Sequence, residues 1–147
     1  MSSEKKLCTF FLQELFFGVE VEQVQEVIRY QEMTRVPLAS SVVGGLINLR
    51  GQIVTAIDLR ERFALPARAT DQLPMNVVIR TEDGAVSLLV DEIGDVVEVD
   101  DSDLEPVPDT LHGADRELIR GVYKLKGKLL LLLDTARAVT IPVLTAN

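Results

Sequence analysis

The sharpest chemical signal in the chain is an aspartate followed by threonine at the end of an apolar run. Leu132-Leu133-Asp134-Thr135-Ala136 opens in the manner of an aspartic-protease loop, and an internally repeated chain could supply two such aspartates. That chemistry needs two carboxylates sharing a proton across about 3 Å, each held on a tight turn. Here no glycine follows Thr135, Arg137 stands close behind, and the first-half counterpart is Asp58-Leu59-Arg60. No symmetric pair is encoded. Both aspartates are better explained as helix N-caps, whose carboxylates accept from otherwise unpaired N–H groups.

The remaining reactive side chains are sparse. His112 is the only histidine and sits in an acidic loop, where Asp109 or Asp115 could join it on a metal, although a solvated loop residue is the simpler reading. Cys8 is the only cysteine and lies in a strand pattern with no base nearby, which reads as a small buried hydrophobe. One histidine and one cysteine do not build a Cys–His nucleophile or a structural zinc site. GxGxxG and P-loop patterns are both absent, so no nucleotide site is indicated. The expectation is a chain with no catalytic residues, no bound metal and no cofactor.

The elements that would carry these residues are organised around Gly45 to Asp58, GLINLRGQIVTAID. It reads as a strand, a tight turn at Arg50-Gly51-Gln52, a second strand and a helix start at Asp58. A second copy, GVYKLKGKLLLLLD, runs from Gly121 to Asp134 at a constant offset (121 − 45, 127 − 51 and 134 − 58 are equal). Internal repetition of this kind sets the working assumption of two related halves. Leu59 and Phe63 fall on the buried side of the helix after Asp58, with Arg60, Glu61 and Arg62 facing water and Glu61 completing a capping box.

Upstream, Leu7–Leu12 and Phe16–Val21 read as a hairpin. Val24, Val27 and Ile28 stand at i, i+3, i+4, which predicts a short helix. Downstream, Asn76–Arg80 and Ala85–Val90 flank a turn at Glu82-Asp83-Gly84, and FGVEVEQVQEVI from Phe17 aligns with VSLLVDEIGDVV from Val86, so Val24 matches Ile93. The offset is shorter there, placing the few extra residues of the second half in the acidic loop Asp100–Asp115. Ala67–Pro74 is the expected boundary, giving subdomains of about 7–70 and about 71–147 within one 1–147 domain. Leu129–Leu133, apolar on both faces, suits a strand buried between two layers. Many short strands with glycine turns argue for a mainly β fold of two small barrels, each closed by a turn or two of helix.

At 147 residues, 47% of them hydrophobic and 26% charged, the chain has the make-up of a globular protein with a sizeable core. The formal charge of −8 disfavours nucleic acid and anionic membrane surfaces, which call for clustered Lys and Arg. The longest apolar run, Leu129–Leu133, is far short of the roughly 20 residues that span a bilayer. With no signal peptide and a single cysteine, the expected setting is the cytoplasm, without membrane insertion. What remains to carry function is surface. Arg50 stands at a turn tip on an apolar hairpin, and exposed arginine is either a solvated turn residue or an interface anchor.

Gly45-Leu46-Ile47-Asn48-Leu49-Arg50-Gly51-Gln52-Ile53-Val54 with Ile57-Asp58-Leu59-Arg60 resembles the CheW family of chemotaxis coupling proteins. Val24-Gln25-Glu26-Val27-Ile28 and Arg120-Gly121-Val122-Tyr123-Lys124 resemble it too, and the likeness runs from Leu7 to about Val139. The NLRG…DLR pattern also occurs in the regulatory domain of the CheA kinase and in CheV-type fusions. The resemblance implies two five-stranded SH3-like barrels sharing a hydrophobic core. It also implies a non-enzymatic adaptor that joins the cytoplasmic hairpin tips of chemoreceptors to a CheA-type histidine kinase. Carried over by position, receptor contacts fall on Val21, Val24, Glu26, Gly45 and Arg50, and kinase contacts on Val27, Gly51 and Ile53.

Two positions depart from the family pattern. Thr55 stands where proline is common, restoring an N–H to the strand ladder, and Tyr123 stands where glycine is common. Either could mark a coupler for a non-flagellar pathway, such as one serving pili, surface sensing or biofilm signalling. A reading from a different class is a small β-barrel that binds an oligonucleotide or other ligand. That alternative calls for a basic or aromatic face, whereas aromatic residues make up 5% of the chain and tryptophan is absent.

Overall fold

The computed structural model describes residues 4–110 and 114–140. Strands β1 (Glu4–Leu12) and β2 (Leu15–Glu20) form the expected first hairpin, and a turn of 3-10 helix at Val21–Gln23 leads into β3 (Val24–Ile28). The central hairpin follows as β4 (Val43–Leu49) and β5 (Gln52–Asp58), ending in the single helical turn α1 (Leu59–Arg62). Then come β6 (Met75–Thr81), β7 (Gly84–Val90), β8 (Glu92–Asp100) and a short α2 (Ala114–Glu117). β9 (Ile119–Leu125), β10 (Lys128–Leu133) and α3 (Thr135–Ala138) complete the described chain.

Val24–Ile28 is a strand and not the expected helix. It pairs antiparallel with β6, Val27 opposite Val77, with a bulge between Val24 and Glu26, and its side chains alternate between half-buried and exposed. The helical spacing comes from Val27, an apolar residue on the exposed face between the half-buried Glu26 and Ile28. The β-branched residues Val24, Val27 and Ile28 favour the pleated surface over a helix.

The ten strands make two five-stranded sheets, ordered β8-β1-β2-β10-β9 and β3-β6-β7-β5-β4. The repeat maps one order onto the other, with β1 matching β6, β2 matching β7, and β3, β4 and β5 matching β8, β9 and β10. Each half therefore lends its first hairpin to the sheet of the other half. We call the sheet containing β1, β2, β8, β9 and β10 the terminal barrel, and the other the middle barrel. The expected split near residue 70 separates the repeats but not the barrels. The pairings that decide this join segments distant in sequence, β2 with β10 and β1 with β8 in one sheet and β7 with β5 and β6 with β3 in the other, and local patterns do not encode them.

Each sheet closes through one bridge beyond its edge strands. In the middle barrel Thr34 and Leu46 exchange reciprocal backbone hydrogen bonds of 2.8 Å each; in the terminal barrel Glu105 and Val122 do the same at 2.8 and 2.9 Å. The repeated glycines sit beside these seams. A Cβ on Gly45 would stand 2.9 Å from the Thr34 carbonyl oxygen, and one on Gly121 would stand 2.7 Å from that of Glu105. Closure requires glycine at both places because backbone, not a yielding side chain, occupies the space. The repeated aspartates also keep their roles: Asp58 accepts from the Arg60 N–H, and Asp134 from that of Arg137. The Asp58 side chain accepts from Arg60 and not from Glu61, and the Asp58 N–H donates to the Val42 carbonyl, so Asp58 caps the helix without the expected capping box.

The main core lies between the barrels, where Phe10, Leu12, Phe17 and Val19 meet Ile57, Leu59, Phe63, Val77, Ile79 and Leu88. Leu131 and Leu133 face it, while Leu130 and Leu132 face a separate core inside the terminal barrel. The apolar-on-both-faces pattern of β10 thus fills two cores at once. Among the described residues no helix is long and apolar enough to cross a membrane.

Candidate functional site

The β4–β5 turn needs positive φ at both central residues to match the twist of its strands. Arg50 adopts φ 53° and Gly51 φ 88°, and the Asn48 side-chain oxygen accepts from the Gly51 N–H at 2.8 Å. This brace aims Arg50 across the barrel seam to β3. There it forms a two-pronged ion pair with Glu26, one arm running Nη1 to Oε2 at 2.8 Å and the other Nη2 to Oε1. The Arg50 hydrogen bonds hold the Glu26 carboxyl below its ordinary value, and Glu26 raises Arg50 in return. The arginine stays 69% exposed while Glu26 is 20% exposed, so the pair presents its cation outward.

Around this pair lie exposed apolar groups. Ile53, just past the turn, is 62% exposed, and Val27, next to Glu26, is 38% exposed. Ile53 also borders an open groove of about 880 Å³ with Tyr30, Met33, Thr34 and Leu46. Gly51 is exposed with open space around it. Val21 and Val24 are half-buried where the chain passes from β2 to β3, and Val21 lines a second groove of about 470 Å³ with Lys5, Glu20 and Glu22. Lys5 bridges Glu20 at 2.7 Å and Asp101 at 3.0 Å, and those hydrogen bonds push its ammonium above the ordinary range. The structure thus brings Glu26, Arg50 and Gly51 onto one rim. Gly45 is different: it is buried beneath Met33 and Thr34 and closes the barrel.

Two residues of the same kind escaped the sequence reading. Val96 on β8 is 57% exposed and Leu129 on β10 is 39% exposed. They are the repeat counterparts of Val27 and Ile53, at the same offsets that relate Val24 to Ile93 and Gly51 to Gly127. Leu129 borders an apolar recess of about 340 Å³ with Phe11, Leu15 and Phe16, and the Lys128 ammonium lies 5.1 Å from the Phe16 ring centre. Applying the repeat to Val27 and Ile53 would have found them.

Arg60 is not the solvated residue that its helical position suggests. It is 7% exposed and paired with Asp91, 31 positions away, by hydrogen bonds of 2.9, 3.1 and 2.6 Å. Cys8 is half-buried, not fully buried, and burial pushes its thiol up, away from the reactive thiolate. Tyr123 fills the interior of the terminal barrel at 1% exposure. Thr55 is paired on both sides, with Leu46 and with Val86. His112 lies outside the described residues, among which no group of three or more His, Cys, Asp or Glu is placed to hold a metal.

Residues 6–141 match the family model for the CheW-like domain. The chain is 31% identical over 130 residues to the chemotaxis protein CheW of Bacillus subtilis, covering 88% of this chain and 83% of that one. It is 30% identical over 133 residues to chemotaxis protein CheW of Treponema pallidum, covering 88% and 78%. Among solved structures, the scaffolding protein TtCheW of Thermoanaerobacter tengcongensis superposes with a TM-score of 0.84 at 26% identity, over 95% of this chain and 90% of that one.

Proposed function

The chain belongs to the CheW family of chemotaxis scaffold proteins, and on that premise we propose that it is a non-enzymatic cytoplasmic adaptor coupling chemoreceptor hairpin tips to a CheA-type histidine kinase. The observation that carries this reading is the matched pair of apolar ends, Val27 with Ile53 on one barrel and Val96 with Leu129 on the other. An adaptor needs two separated docking faces on a rigid frame. Exposed aliphatic side chains beside a fixed charge are the usual makings of a small protein interface. In this reading Val27, Gly51 and Ile53, at one of the two ends, face the kinase, and Val96 with Leu129 form the second docking end. Val21, Val24, Glu26 and Arg50 face the receptor tip, and Gly45 supports them from inside the barrel.

The test is reconstitution with a CheA-type kinase and receptor cytoplasmic fragments, read by co-sedimentation and kinase activity. Ile53→Asp is expected to weaken kinase recovery by about tenfold or more, because a buried charge replaces an apolar contact. Arg50→Glu is expected to spare kinase binding and to lower receptor recovery. Full recovery of both partners with both variants would overturn the assignment.

A further inference from the structure

A dense polar cluster lies where β7 of the middle barrel hands the chain to β8 of the terminal barrel. Asp91 occupies that junction at 8% exposure. Its N–H donates to the Phe11 carbonyl at 3.0 Å, and its Oδ2 accepts from the Gln13 N–H at 2.7 Å, both in the β1–β2 hairpin of the terminal barrel. From the middle-barrel side, Arg60 on α1 forks onto both carboxylate oxygens. Arg68 adds a contact to Oδ1 at 2.8 Å and reaches Asp58 at 3.1 Å and the Leu89 carbonyl at 3.2 Å. One carboxylate is thus held by groups from both barrels.

The repeat supplies a comparison within the molecule. The chain crosses between barrels a second time, from β2 to β3, and the position matching Asp91 there is Glu22. Glu22 is exposed, and the counterpart of Arg60 is the exposed Ala136. That crossing is held instead by Arg80 donating to the Glu22 carbonyl at 3.2 Å and by a 3.4 Å contact between Thr135 and Gln23. The cluster is therefore not a requirement of building or joining these barrels, since one of two equivalent crossings does without it. Apolar packing in the shared core is non-directional. Forked arginine–carboxylate bonds impose angle as well as distance, and buried ion pairs can contribute orientation more than stability.

We infer that Asp91 is a positioning residue that sets the angle between the two barrels, and with it the geometry between the two docking ends. The consequence for docking rests on the adaptor reading above; the angle itself does not, and can be measured without any partner. In a Cys8→Ser background, spin labels at positions 53 and 129 report distance between barrels, and labels at 27 and 53 report distance within the middle barrel. Asp91→Asn is expected to broaden the between-barrel distribution by about twofold or more while leaving the within-barrel one unchanged. Arg68→Gln leaves the Arg60 fork on Asp91 in place and is expected to broaden it in the same direction by less, and it carries the test if Asp91→Asn does not fold. An unchanged between-barrel distribution in a folded variant would overturn the inference. So would equal broadening of both distributions, which would mark Asp91 as a general support of the core.

Discussion

Arg50 and Glu26, 24 residues apart in sequence, are joined by two hydrogen bonds that span the seam between β4 and β3. The bonded state fixes where the exposed guanidinium points, because both carboxylate oxygens are engaged. An exposed pair of this kind contributes little to stability, so its value lies in orientation.

Charge reversal separates these roles. Arg50→Glu sets two carboxylates against each other and is expected to cut receptor-fragment affinity by about tenfold or more, with little movement of the melting curve. The double variant Glu26→Arg with Arg50→Glu restores the pair in reverse and is expected to recover the fold but not the affinity, because the outward charge is now negative. Recovery of full affinity by the double variant would show that the pair acts only as a strut. Titration calorimetry beside thermal melting reads both quantities.

The seam glycines give a second test. Gly45→Ala places a Cβ 2.8 Å from the Met33 Cβ and 2.9 Å from the Thr34 oxygen, and Gly121→Ala places one 2.7 Å from the Glu105 oxygen. Each is expected to cost about 1–3 kcal/mol as overpacking against backbone, a fall of roughly 2–4 °C in melting temperature per kcal/mol. Gly51→Ala, with open space around it but φ at 88°, is expected to cost only the backbone strain, about 1–2 kcal/mol. If Gly45→Ala melts with the wild type, closure at Thr34–Leu46 is not what keeps the glycine.

What the sequence disclosed and what it hid divide along the range of the interactions. The hairpins, the repeat and the two aspartate caps are local, and all were legible from spacing and residue type. Val24–Ile28 reads as a helix because Val27, on the exposed face of β3, adds an apolar residue to the inward-facing Val24 and Ile28. The exchange of hairpins was invisible because the β10–β2 and β5–β7 pairings link distant segments. Arg60 was misplaced for the same reason: periodicity puts it on the wet face of α1, and only the fold brings Asp91 to it. Of the site, Glu26 and Arg50 were named separately, but their bond was not foreseen. Gly45 was read as a contact residue, whereas its place under Thr34 makes it part of the frame.

The Asp91 cluster sets a pH dependence whose sign follows from its surroundings. Burial alone would raise the carboxyl above its ordinary value of 3.8, but the Arg60 hydrogen bonds, the Gln13 N–H and the charges of Arg68 and Arg60 outweigh it and hold the group below that value. A carboxyl depressed in the folded state binds fewer protons folded than unfolded, so stability rises with pH across the interval between the two values. The contribution is therefore fully present above pH 3.8 and is lost as pH falls from there through the folded-state value. Arg50 holds the Glu26 carboxyl below its ordinary value too, so the informative quantity is the wild type minus Asp91→Asn. Urea midpoints measured from neutral pH downward are expected to show a constant gap between the two proteins above that point and a narrowing gap below it. A gap that stays constant into acid would mean that Asp91 keeps its ordinary affinity for protons when folded, and that the arginines around it do not hold its charge in place.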